Sequence, residues 1–365
     1  NAHKALLYAA ALLDFDIRWL WPSAQAEGAL CSCPVTAEAL TGALHALAQQ
    51  GISPFGVYVT SPDYLGGVQD IPALAAVCRA QGVPLLVDNA HGAYLRFLPQ
   101  NCHPIAQGAA MCCDSAHKTL PVVTGGAYLH LAHDAPVQDE AAVRGALALF
   151  GSTSPSYLIL QSLDVCNAVL AGDYPRRLAQ CCAALEGLRS SLNKTAAARQ
   201  CPVPLAVAGA QQEPMKLTLD AAALGCTGIA LADALRRAQM ECEYADPRYV
   251  VLMFTPENPP QDYTRLQTAL EQLLAAVPAG LSRPENRAGE FAALQQQAVQ
   301  RCTIRQAVLG AQVRVPVHKA LGRVCAMPTV SCPPAIPVAV SGEEITPAAI
   351  ALMQRYGIEE LSVLR

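Results

Sequence analysis

The residues best suited to chemistry stand in two short stretches, Val87-Asp88-Asn89-Ala90-His91-Gly92 and Asp114-Ser115-Ala116-His117-Lys118-Thr119-Leu120-Pro121. An apolar run, Pro84-Leu85-Leu86-Val87, delivers Asp88 at its end, as a buried strand of a parallel sheet does. Lys118 follows in a segment crowded with small polar residues. A lone lysine is ordinarily a solvated surface charge, and a lone aspartate is often a turn or cap residue. An acid at a strand end followed by Ser-x-His-Lys is different: it is the order that pyridoxal 5'-phosphate chemistry needs. The lysine forms a Schiff base with the cofactor aldehyde, and the acid pairs with the pyridinium nitrogen. His91 either lines the same pocket or packs near Gly92, and the sequence leaves both open.

The elements that must position these groups alternate. Residues 55–60 form a β-rich run closed by the loop signal Ser61-Pro62-Asp63-Tyr64. Residues 71–80 read as a helix, and 84–88 and 127–131 as strands. This alternation predicts an α/β fold with a mainly parallel, doubly wound sheet, whose ligand site lies at the carboxyl ends of its strands. Asp88 and the Ser61-Pro62 loop both fall at such ends. Beyond Ser156, residues 158–170 and 176–192 read as long helices. A second α/β segment follows: strands at 215–219 and 249–255, helices at 228–238 and 262–275. A linker is expected over 277–287, then a helix from 289, a strand at 338–340 and a final helix from Thr346. The expected domains are 1–165, 166–280 and 281–365.

Composition excludes several classes. The 365 residues are 52% hydrophobic and 15% charged, which suits an α/β protein with much buried sheet and a buried subunit interface. A net charge of −4 gives no footprint for nucleic acid or an anionic membrane surface. No apolar run reaches the ~18–20 residues that span a bilayer; the run from Ala5 is ended by Asp14 and Asp16. The 15 cysteines include Cys31-x-Cys33, Cys112-Cys113 and Cys181-Cys182, but no pair of C-x-x-C motifs, so neither a zinc site nor a disulfide framework is expected. Reduced cysteines in a cytoplasmic protein are the expectation. His103, His130 and His133 show no partner spacing and read as structural or exposed, and no metal is expected.

Several motifs occur in the order seen in the Orn/Lys/Arg decarboxylase family: Asn1-Ala2-His3-Lys4, Thr60-Ser61-Pro62-Asp63-Tyr64-Leu65-Gly66, Asp88-Asn89-Ala90-His91-Gly92-Ala93, Ser115-Ala116-His117-Lys118-Thr119-Leu120, Ser152-Thr153-Ser154-Pro155-Ser156-Tyr157 and Pro333-Pro334-Ala335-Ile336-Pro337. The chain resembles that family from its first residue nearly to its last. The resemblance implies the aspartate aminotransferase fold, with a cofactor-binding large domain, a smaller α/β domain and a C-terminal decarboxylase domain. It implies decarboxylation of arginine, lysine or ornithine to the corresponding amine, feeding polyamine synthesis. Lys118 resembles the Schiff-base lysine and Asp88 the partner of the ring nitrogen. His3 resembles the imidazole stacked on one ring face, and Ala90 the small residue on the other. Ser115 and His117 resemble neighbours of the phosphate or ring hydroxyl. Ser152 and Thr153 are similar to a segment that reaches a phosphate across a homodimer interface. Either Lys118 or a nearby histidine such as His91 returns the proton to the product.

The family carries a phosphate loop upstream of the Asn-x-His-Lys motif, so the resemblance implies a large domain lacking its N-terminal part. Ala335 stands where the family has glycine, Asn89 where an acid is common, and Ser341-Gly342-Glu343 where Pro-Gly-Glu is usual. Glu343 and Glu344 are candidates to meet the distal cation of the substrate, against the plainer reading of two surface carboxylates. Alternative readings are another enzyme of the same fold, an aminotransferase or lyase, and an inactive remnant.

Overall fold

The computed structural model describes residues 2–22, 30–32, 34–209, 211–278, 280–282, 288–330 and 335–365. Asn1, Pro333, Pro334 and part of the expected 277–287 linker lie outside these residues.

The site-bearing sheet has four strands: β1 (Val57–Thr60), β2 (Leu85–Asp88), β3 (Met111–Asp114) and β4 (Tyr128–Leu131), adjacent in that order. β1, β2 and β3 run parallel, in a register that aligns Thr60, Asp88 and Cys113. Their carboxyl ends are therefore flush, and Asp88 stands at the middle of that edge. Helices α1 (Lys4–Leu13) and α2 (Ala37–Gln49) precede the sheet. α3 (Ile71–Ala80) has the bounds that the sequence predicts. Asp70 accepts from the Ala73 amide, a proline stands in the first turn, and Ile71, Leu74, Ala75 and Cys78 fall on one face. That face and Leu40 and Leu44 of α2 pack on Val57, Val59, Leu85 and Val87.

β4 departs from the expected parallel order. The strand is present, but it pairs antiparallel with β3. After the single turn of α4 (Ala116–Thr119), the chain reverses at residues 123–126, with Gly125 at φ 102°. It does not make the crossover that a parallel neighbour requires.

α5 (Glu140–Phe150) and α6 (Tyr157–Ala171) lead into α7 (Tyr174–Ala198), which serves two cores. Its start, at Tyr174 and Leu178, packs with Tyr94, Ala116, Leu120 and Cys166. Farther along, Leu185, Leu188, Leu192 and Ala196 pack on a second sheet. That sheet is antiparallel: β5 (Lys216–Asp220) and β6 (Tyr244–Ala245) flank β7 (Tyr249–Met253), with α8 (Gly228–Arg237) and α9 (Pro260–Ala275) covering it.

The last segment holds α10 (Ala288–Gln297), α11 (Ile304–Leu309), β8 (Gln312–Pro316), β9 (Thr329–Val330), β10 (Pro337–Ala339), α12 (Pro347–Arg355) and β11 (Glu360–Leu364). The expected final helix is α12, but the chain then turns at Gly357 (φ 71°) and pairs β11 antiparallel with β8. α1 returns to this segment: Leu7, Ala10 and Ala11 pack with Ile304. Ala335 has φ 59°, the left-handed conformation that explains the glycine of the resembling motif. All described cysteines are free. Among the described residues no helix is long and apolar enough to cross a membrane.

Candidate functional site

Asp88 is the last residue of β2 and is nearly buried. Its Oδ2 accepts from the Tyr58 hydroxyl at 2.7 Å and its Oδ1 from the Ala90 amide at 3.1 Å, so the carboxylate is fixed from two sides. The chain turns sharply after it. A Cβ at Gly92 would lie 2.0 Å from Asn89 Oδ1 and 2.7 Å from Leu95, so only glycine fits there. That turn carries His91, which meets Lys118 and Tyr64.

Lys118 lies on α4, whose buried face is Ala116 and Thr119. Its Nζ is 3.2 Å from Nε2 of His91. Burial lowers the Lys118 pKa, against the opposing charges of Asp88 and Glu243. His91 is buried and packs edge-on against Tyr64, with ring centroids 4.9 Å apart. Burial, then the charges of Lys216 and Lys118, hold its pKa well below the usual range, so the imidazole is neutral. The Lys118 Nζ donates to Nε2, and the ring proton then sits on Nδ1, which is buried and has no partner. A buried donor of this kind is costly unless a ligand meets it.

The other predicted residues divide into two groups. His3 caps α1, its Nδ1 accepting from the Ala5 amide, and its imidazole feels the charges of Asp88 and Lys118. Burial is the main cause of its lowered pKa. Ala90 is half-buried beside Asp88. Ser115 precedes α4 without capping it through its side chain. His117 donates from Nδ1 to the Gly126 carbonyl at 2.9 Å, which leaves Nε2 as an acceptor. Ser152 and Thr153, by contrast, are exposed in the loop between α5 and α6, where the Ser152 hydroxyl bonds only to Ser154.

Sequence reasoning missed Tyr58 and the buried polar group beside Tyr64. Lys216 is buried, donates to the Asp63 carbonyl at 2.9 Å, lies 4.0 Å from Glu213 and stands 5.6 Å from the Tyr64 ring centroid. Glu213 also accepts from Tyr94 and from the Met215 amide. A lysine inside the apolar run Met215-Lys216-Leu217 was the available signal. The Ser61–Tyr64 loop does reach the pocket, as its place at a strand end suggests. Glu344 pairs with Arg301 at 2.6 Å. Glu343 accepts from the Val340 amide, and burial raises its pKa. Both glutamates line a cavity with Ala2, Trp19 and Trp21.

His133 is exposed, and the other two histidines share a partner that their spacing does not reveal: His103 and His130 both point Nε2 at Asp114. Their separation in sequence hid a meeting made by strand pairing.

A family model described as the Orn/Lys/Arg decarboxylase major domain matches residues 1–211. The chain is 27% identical over 363 residues to the uncharacterized protein YaaO of Bacillus subtilis, covering 97% of this chain and 72% of that protein. It is 27% identical over 297 residues to the arginine decarboxylase of B. subtilis, covering 80% of this chain and 59% of the relative. The constitutive lysine decarboxylase of E. coli has the same fold, with a TM-score of 0.73 at 18% identity, covering 100% of this chain and 66% of that one. The chain thus spans 59% of the length of that arginine decarboxylase.

Proposed function

The chain belongs to the Orn/Lys/Arg decarboxylase family, and on that premise we propose that it releases the α-carboxylate of arginine, lysine or ornithine as CO2, with pyridoxal 5'-phosphate carried on Lys118. The observation that carries this reading is the half-buried Lys118 amine, 3.2 Å from His91 Nε2, facing a fixed strand-end carboxylate, Asp88.

The donor set fits that cofactor. The depressed pKa of Lys118 favours the neutral, nucleophilic amine. Asp88, held by Tyr58 and Ala90, suits a protonated ring nitrogen. Ala90 is small enough to lie against one ring face, and His3 stands at the N-terminus of α1 to meet the other. Ser115 and the free Nε2 of His117 suit phosphate or ring oxygens. The unpaired Nδ1–H of His91 needs an acceptor that a bound group would bring. When bound, the cofactor supplies the sink for the electron pair freed by carboxylate loss. Lys118 and His91 hold the proton that replaces CO2 at Cα, shared between Nζ and Nε2. Glu343 or Glu344 meets the distal cation and so selects among the three substrates.

We place the site at a homodimer interface in the cytoplasm. Leu149, Phe150, Tyr157 and Leu158 are 61–84% exposed and flank Ser152 and Thr153. Exposed apolar side chains beside the loop favour a covering second copy, which would bring Ser152 and Thr153 to a partner's phosphate. The free cysteines suit a reducing compartment.

The test is CO2 release from each of the three amino acids, with cofactor uptake followed by visible absorbance. Lys118→Ala is expected to lose both. Absorbance without CO2 from any of the three would overturn the decarboxylase reading.

A further inference from the structure

Four side chains that the reaction does not use converge at the carboxyl end of β3. Asp114 Oδ2 is 3.1 Å from His103 Nε2 and 3.0 Å from His130 Nε2. Cys112 Sγ is 3.3 Å from Asp114 Oδ1 and 3.9 Å from His103 Nε2. Register explains the meeting. Cys112 and Asp114 share a face of β3, and His130 lies directly across from Cys112 on β4. His103 arrives from the start of the short 3-10 turn Pro104–Gln107.

We propose that His103, Asp114 and His130 bind one divalent transition ion of the zinc class, with the fourth position left to water. In a tetrahedral site with bonds of about 2.0–2.3 Å, ligand atoms lie roughly 3.3–3.8 Å apart. Asp114 Oδ2 lies 3.0–3.1 Å from both imidazole nitrogens, and the three ligand atoms all lie within 4.8 Å of one another, so small side-chain adjustments bring them to these separations. Imidazole and carboxylate are ligands that zinc accepts together. Asn89 Nδ2 holds the other carboxylate oxygen at 2.8 Å, the outer support that a ligating carboxylate normally has. His103 and Asp114 are buried, whereas the His130 side chain is 38% exposed and opens a path for entry.

The metal-free arrangement is also self-consistent. Burial would raise the Asp114 pKa, but hydrogen bonds from His103, His130 and Asn89 outweigh it and hold the pKa low. The Ile105 amide approaches His103 Nδ1 at 3.4 Å. Metal at Nε2 requires the ring proton on Nδ1, so that long contact opens. With three protein ligands and a water the ion is four-coordinate. It ties β3, β4 and the His103 turn together immediately before Ser115, where α4 begins to carry Lys118. The site is independent of the decarboxylase reading.

The probes are Zn(II) and Co(II), added to protein freed of metal by a chelator. The expected result is one equivalent of Co(II) per chain, with tetrahedral visible bands. Cys112→Ser and Cys113→Ser should both leave those bands unchanged. His130→Gln keeps a donor to Asp114, so its fold is preserved, as far-ultraviolet circular dichroism would verify. It should weaken binding about 100-fold, as should His103→Gln. Absence of saturable binding, or saturable binding unaffected by both histidine variants, overturns the proposal in favour of a hydrogen-bonded carboxylate alone.

Discussion

His91 couples the candidate site to pH. Its pKa is depressed in the fold from the usual 6.5, first by burial and then by Lys216 and Lys118. Below about pH 6.5 the unfolded chain takes up a proton that the folded chain refuses, so this contribution to stability falls as pH is lowered. Asp63 works in the opposite sense. Burial pushes its pKa from 3.8 up to about 6, so its contribution is lost as pH rises through that window. His91→Phe keeps an aromatic edge for Tyr64 and removes only the first effect. The variant is expected to lose less stability than the parent between pH 6.5 and 5, as measured by urea unfolding at several pH values. Asp88 and Lys118 were legible at this scale because an acid ending an apolar run and a Ser-x-His-Lys sequence are local patterns. Lys216, Tyr58 and the pairing of His103 with His130 were not, because their partners come from distant elements.

At the scale of elements, α7 is the piece on which two cores depend. Leu185 is fully buried and packs among β5, β7 and α9, whereas Leu178 belongs to the core beside α4. Leu185→Ala is expected to cost about 2–5 kcal/mol of stability, measured as a lowered unfolding midpoint. α3 was readable to the residue because Asp70, the first-turn proline and the spacing of Ile71, Leu74, Ala75 and Cys78 all agree. The direction of β4 was not, since apolar alternation gives a strand but not its partner. β8 and β11 escaped for the same reason. Each is short, and the pairing that stabilises them joins residues 312–316 to 360–364.

For the whole molecule, the exposed apolar surface from Leu149 to Leu158 is the feature a single chain leaves unexplained. Replacing Leu158 with Asp is expected to halve the mass seen by sedimentation while circular dichroism stays unchanged. An unchanged mass would remove the support for a shared site. The return of α1 onto Ile304 likewise belongs to the whole molecule, since it joins opposite ends of the chain.

The sequence by itself determined the family and the α/β class, and it singled out the acid and amine that we propose serve a cofactor. Each of these rests on local patterns: an apolar run with a polar end, helical spacing, and motifs in a fixed order. Tertiary structure alone decided that β4 runs antiparallel, that His91 is neutral against Lys118, and that Asp114 gathers two histidines and a thiol. Those outcomes depend on strand register and on burial. Both arise only when residues far apart in the chain exclude water together.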